Sequence, residues 1–183
     1  MNDEQSTQLE IDHNGIYYLI EKSDQIEGYA GTAEVIGLKG NMSVVNIPEG
    51  INTKKHGEFC VTSIGAAAFQ IGKNVINMET VLIPRTVTKI KSQAFGCFNL
   101  RHVVISDQVE NMRIGNQAFE MCSNLESILI PDGVISIEDN AFPRGITLIG
   151  KSAYLHYFAE ANRTIYNFKF SETEKNAKNM LSY

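Results

Sequence analysis

The stretch SQAFGCFNL at residues 92–100 returns, slightly altered, as NQAFEMCSNL at residues 116–125. Both carry an Ala-Phe pair, then a cysteine, an asparagine and a leucine in the same order. Such self-similarity is the mark of a unit built more than once. Aligned on Ala-Phe, the chain holds four copies, with phenylalanines at Phe69, Phe95, Phe119 and Phe142. Five residues before each stands an isoleucine: Ile64, Ile90, Ile114 and Ile137. A valine lies three residues before that isoleucine in three copies (Val61, Val87, Val134) and five before it in the third (Val109).

Further upstream each copy has a short apolar run: VVNIP at 44–48, TVLIP at 80–84, HVVIS at 102–106 and SILIP at 127–131. Each run is preceded by Met42, Met78, Leu100 or Leu125, three residues before its first inward letter. Within a run the apolar letters alternate with a period of two, so both point to one face of a short strand. The proline that follows in three of the runs has no N–H for a ladder and ends the strand; the third run has Ser106 there. The V-x-x-I and Ala-Phe half supplies further buried side chains on the way back. One unit cannot bury its apolar faces alone, so the units must stack, with like letters above one another. The starts Val45, Val81, Val103 and Ile128 are separated by 36, 22 and 25 residues. The first interval is lengthened by NTKKHGEFC after Ile51 and by the longer return QIGKNVINME. Insertions of this kind belong in surface loops between fixed core positions.

VTSIGAAAF at 61–69, AFEMCSNL at 118–125 and ESILIPDGVISI at 126–137 resemble the BspA-type leucine-rich repeat. Its units carry strand-Ile-Pro, V-x-x-I-G and A-F-x-x-C-x-x-L in this order. The resemblance spans roughly residues 42–170. It departs at Lys91 and Glu138, which replace the glycine kept as Gly65 and Gly115, and in the cysteine, which the first and last copies lack. The expected fold is an α/β-type repeat solenoid, mostly β: a short right-handed array of about four repeats (42–69, 78–95, 100–119 and 125–142). A solenoid must close its apolar ends with atypical segments. Residues 15–41 read as a hairpin-like N-terminal cap, and residues 146–170 as a helix-plus-strand cap. In the latter SAYLHYFAEAN is helical, Ser152 is its N-cap, and Leu155, Phe158 and Ala159 share one face. Tyr166, Phe168 and Phe170 then alternate along a closing strand. Residues 1–14 read as a flexible acidic lead-in. The tail 171–183 reads as a frayed helix or flexible end.

The formal net charge is −5 and no basic cluster stands out in the sequence, which argues against nucleic acid as a partner. No apolar run reaches the roughly 18–20 residues needed to span a bilayer. The opening MNDEQSTQLE is polar and acidic, the opposite of a secretory signal peptide. Three cysteines, Cys60, Cys97 and Cys122, make an odd set without metal-ligand spacing. Cys97 and Cys122 stand at nearly equivalent places in adjacent repeats. They read either as a redox pair or, more simply, as small residues packed where the chain leaves the apolar layer.

His56 and Cys60 lie four apart in the inserted loop. A cysteine nucleophile with a histidine base needs an orienting group and an oxyanion site as well, and a half-buried thiol beside the core letter Val61 is the simpler account. The carboxylates fall at different repeat phases, and the glycines form no phosphate-binding pattern. No catalytic residue, cofactor or metal is expected. One outward column stands out instead: Asn46, Leu82, Val104 and Leu129, flanked by Val44, Thr80, His102 and Ser127. Several apolar side chains in one exposed column suit a protein interface; β-propensity or cover from a loop are the bland alternatives. The reading is therefore a non-enzymatic interaction module for a protein partner. The resemblance implies a bacterial cell-surface or secreted protein of adhesion or host contact. The alternatives are an intracellular scaffold or a homodimer built on the same column, and, more distantly, an enzyme using the His56–Cys60 loop. Carbohydrate binding would want aromatic residues on the strand face, and that column has none.

Overall fold

The computed structural model describes residues 9–70 and 77–170. The chain enters as a three-stranded antiparallel meander: β1 (Leu9–His13), β2 (Ile16–Lys22) and β3 (Gly31–Leu38). The β1–β2 turn is Asn14-Gly15, at φ 54° and 80°. Two positive φ values are what a tight two-residue hairpin demands, and Asn-Gly meets the demand at least cost. The lead-in expected over 1–14 is therefore corrected: from Leu9 onward it is an edge strand of the cap. Its alternation of Leu9, Ile11 and His13 before Asn14-Gly15 is the signal that points to it.

The coils follow in chain order. β4 (Val44–Asn46) leads to the hairpin β5 (Gly50–Thr53) and β6 (Gly57–Ile64), then to β7 (Phe69–Gln70). The second coil is β8 (Thr80–Ile83), β9 (Lys89–Ile90) and β10 (Phe95–Gly96); the third holds β11 (His102–Ile105) and β12 (Met112–Ile114). Then come β13 (Ser127–Leu129), β14 (Val134–Ile137), β15 (Thr147–Gly150), the helix α1 (Ala153–Asn162) and β16 (Asn167–Phe170). The insertion after Ile51 is not a plain loop. Its residues extend β6 backwards against β5, with Gly50 opposite Cys60 and Thr53 opposite Gly57.

Two parallel stacks result. On one side β4, β8 and β11 form one ladder and β13, β15 and β16 another, with β13 packed beside β11. Six strands thus line this side, so the array runs on through the segment expected to be only a cap. On the other side the meander joins the coils: β3 pairs β6, followed by β9, β12 and β14. The first and last V-x-x-I segments are bulged strands of this second sheet. Thr62 is the extra residue of β6 against β3, and Ile135 that of β14 against β12.

Like letters sit above one another, as stacking requires. Val45, Val81 and Val103 are in register, as are Ile64, Ile90, Ile114 and Ile137. The phenylalanines form a continuous stack: Phe69–Phe95 at 4.9 Å, Phe95–Phe119 at 4.6 Å and Phe119–Phe142 at 5.6 Å between centroids, closed edge-on by Tyr166 at 6.1 Å. All four rings are buried, each contributing roughly 1.5–3 kcal/mol. The third copy departs from the expected alignment. There Met112, not Val109, faces Val134 across the ladder. Val109 is still buried, and its N–H donates to the Ser106 carbonyl just as Val87 and Val134 donate to Pro84 and Pro131. The extra Glu110 and Asn111 let one copy keep both residues.

The residue two before each ladder phenylalanine is left-handed in every coil: Ala67, Gln93, Gln117 and Asn140 lie at φ between 52° and 57°. The following alanine N–H closes each turn onto the residue after the isoleucine, and the phenylalanine N–H then bonds the next coil's alanine carbonyl in the first three copies. The helix is as expected: the Ser152 hydroxyl accepts from Leu155 N at 3.1 Å, and Leu155, Phe158 and Ala159 are buried. The tail 171–183 lies outside the described residues.

Candidate binding surface

The outward column is built by the strand period and the stacking register. Val45 and Ile47 point inward, so Val44 and Asn46 must point out, and each later strand repeats the alternation. Asn46 lies beside Leu82 and Leu82 beside Val104; one step back, Val44 lies beside Thr80 and Thr80 beside His102. Leu129 and Ser127 open the second ladder, against Ile149 and Thr147. Val44 is 57% exposed and Val104 48%. Leu82, Leu129, Thr80 and Ser127 are half-buried, while Asn46 and His102 are exposed. The surface is a shallow apolar band with hydroxyls at one flank. It can bind by desolvation and shape, and it offers no nucleophile or acid–base pair.

The second motif is pulled apart by the hairpin. Cys60 sits at its base opposite Gly50, whereas His56 is in the turn beyond Thr53, about 10 Å of strand away. The His56 amide donates to the Thr53 hydroxyl and carbonyl. Burial, then the Glu49 carboxylate, pushes the Cys60 thiol up, against what a nucleophile needs. The geometry gives the His56–Cys60 reading no support.

Cys97 and Cys122 are buried free thiols. The Cys97 thiol donates to the Phe69 carbonyl at 2.9 Å, and the Cys122 thiol to the Phe95 carbonyl at 3.6 Å. Burial pushes both up to about 12. Each cysteine's own carbonyl accepts from the amide of the leucine three residues on, Leu100 or Leu125. Counted from that leucine rather than from the phenylalanine, the two cysteines are equivalent. They are turn-packing groups that tie one coil to the last. Among the described residues no three His, Cys, Asp or Glu side chains converge as a metal site, and no helix is long and apolar enough to cross a membrane.

A further feature, outside the strand column, lies on the second sheet. Glu34, Ser63, Lys89, Arg113 and Ser136 occupy one row across β3, β6, β9, β12 and β14. Lys89 and Arg113, far apart in sequence, become immediate neighbours.

A profile of the BspA type leucine rich repeat region matches residues 41–177 in six copies, in line with the six stacked strands. No curated protein matches the chain. Among solved structures it is similar to a leucine-rich repeat protein from Bacteroides capillosus: 25% identity, TM-score 0.58, 73% of this chain and 94% of that one. A leucine rich cell surface protein from Faecalibacterium prausnitzii matches at 25% identity and TM-score 0.61, over 90% of this chain and 43% of that one. A leucine-rich repeat protein from Bacteroides ovatus matches at 29% identity and TM-score 0.52, over 78% and 43%. The chain thus spans less than half the length of these last two.

Proposed function

We propose, from the premise that the chain belongs to the BspA-type leucine-rich repeat family, that it is a non-enzymatic module binding a protein partner through its outward strand column. The observation that carries this is the apolar band itself. Val44 and Val104 are more than half and nearly half exposed on strands whose inward neighbours are fully packed. Val104 between the half-buried Leu82 and Leu129, with Val44 at the edge of the neighbouring row, presents a desolvation surface, and Thr80, His102 and Ser127 fix orientation at its flank. Placement at a bacterial surface, in adhesion or host contact, is part of the same reading. It is supported by the likeness to a cell surface protein of Faecalibacterium prausnitzii.

The test compares wild type with Val44→Glu/Val104→Glu, after unfolding curves establish that the variant is folded. Capture of one and the same protein by wild type, lost in the variant, is the expected result, with surface labelling of the producing cells. Equal capture by both would overturn the strand column as the site. Sedimentation of the purified chain separates the rival use of the band: a wild-type dimer that the variant dissolves would make self-association its role.

A further inference from the structure

We infer that the second sheet carries a separate docking surface for an acidic peptide segment, centred on Lys89 and Arg113. The two residues are direct partners in the parallel ladder of β9 and β12, about 4.8 Å apart along the stack. Both side chains are exposed, and among the described residues neither is in an ion pair. Two carboxylates on or beside this row have partners elsewhere. Glu34 accepts from Ser63 Oγ at 2.8 Å and pairs with Lys91, while Glu138 accepts from the Asn116 amide at 2.9 Å. Glu110, on the turn leading into β12, forms no ion pair with either cation.

Like charges directly opposite on a sheet are unfavourable. The rest of the row shows that nothing in the fold demands them, since the rungs on either side carry Ser63 and Ser136. A local conflict that the fold does not need is the mark of a surface kept for something else. The doublet, with a serine at each end, is a natural seat for carboxylates, whose binding relieves the repulsion. The bulge beside Arg113 adds an apolar group to the doublet. Because Met112 faces Val134 and Arg113 faces Ser136, Ile135 is thrown outward and stands 40% exposed on the strand beside Arg113. An apolar side chain in that place suits a peptide carrying an apolar residue among its acidic ones. A sulfated glycan has no such group to offer it.

The probe is a fluorescently labelled peptide of alternating Glu and Ser with one central Leu, titrated at low salt with dextran sulfate as the competing polyanion. Wild type is expected to bind. Lys89→Ser/Arg113→Ser, which extends the serines of the same row, should weaken binding by roughly tenfold or more, and Ile135→Ser by a smaller factor. Added salt should weaken the wild-type complex markedly. The double variant should also be no less stable than wild type at low salt, which separates lost binding from lost folding. Absent binding, or equal binding by the double variant, would overturn the proposal. A site that prefers dextran sulfate and ignores Ile135→Ser would overturn its assignment to a peptide.

Discussion

Phe95 shows what a single residue contributes to this chain. Its ring lies between Phe69 and Phe119, nearly parallel to both, and is fully buried. Phe95→Ala leaves a cavity with ordered rings on both sides, and urea unfolding should show a loss of roughly 3–5 kcal/mol. A loss under about 1 kcal/mol would contradict the stack. Glycine works at this scale by what it leaves free. A Cβ on Gly133 would meet the Val109 carbonyl oxygen at 1.7 Å, so Gly133→Ala should destabilise by several kcal/mol, more than the same change at Gly28, where a Cβ would meet no other part of the chain within 4 Å and only the left-handed φ of 84° resists it. Gly65 and Gly115 explain why Lys91 and Glu138 are tolerated at equivalent places. The glycines alternate with long side chains, and each long side chain reaches back past a glycine: Lys91 to Glu34, Glu138 to the Asn116 amide. Tyr18 runs against the pattern: its hydroxyl is buried without a hydrogen-bond partner among the described residues. Tyr18→Phe should leave stability unchanged or raise it by about 1 kcal/mol.

At the scale of the element, α1 ends the second sheet. β14 is the last strand there, and the Ile137 N–H faces the empty side, where a further strand would pair. The Tyr154 hydroxyl, in the first turn of the helix, accepts that N–H at 2.6 Å. Tyr154→Phe should therefore cost about 1–2 kcal/mol, read from the shift in the urea midpoint, and Ser152→Ala about 1 kcal/mol through the lost N-cap. The helix was legible in sequence because its cap and its apolar spacing are both local. The strands with Val, Ile and proline punctuation were legible for the same reason. The hairpin of β5 and β6 was not. Its first strand, Gly50–Thr53, is mostly polar, and only pairing with β6 makes it a strand. Nor was the place of Met112, because Val109 satisfies the same local turn and only the ladder shows which residue faces Val134.

Across the whole molecule, stability is close to a sum over rungs and their neighbours, so the inward letters tolerate insertions while keeping register. Those letters are nearly all recoverable from a period of two and a repeated spacing. The outer surface is recoverable only in part. The strand column follows by alternation from the inward letters, so Leu82 and Val104 could be named from sequence. The exposure of Val104 over Leu82 depends on what covers each rung. The Lys89–Arg113 doublet follows from the same register, since each residue directly precedes an aligned isoleucine, Ile90 or Ile114; the bulge that turns Ile135 out beside Arg113 does not.

Val103 and Val104 put both halves of this account to one test. The first faces the core and is buried; its neighbour is turned out and 48% exposed. Equilibrium urea unfolding of Val103→Glu and Val104→Glu, side by side, is the most direct measurement. A carboxylate at Val103 should cost more than about 4 kcal/mol, or prevent folding, while the one at Val104 should stay within about 0.5 kcal/mol of wild type. Comparable losses in both variants would mean that the strand face is covered, and that neither the alternation nor the open binding column holds.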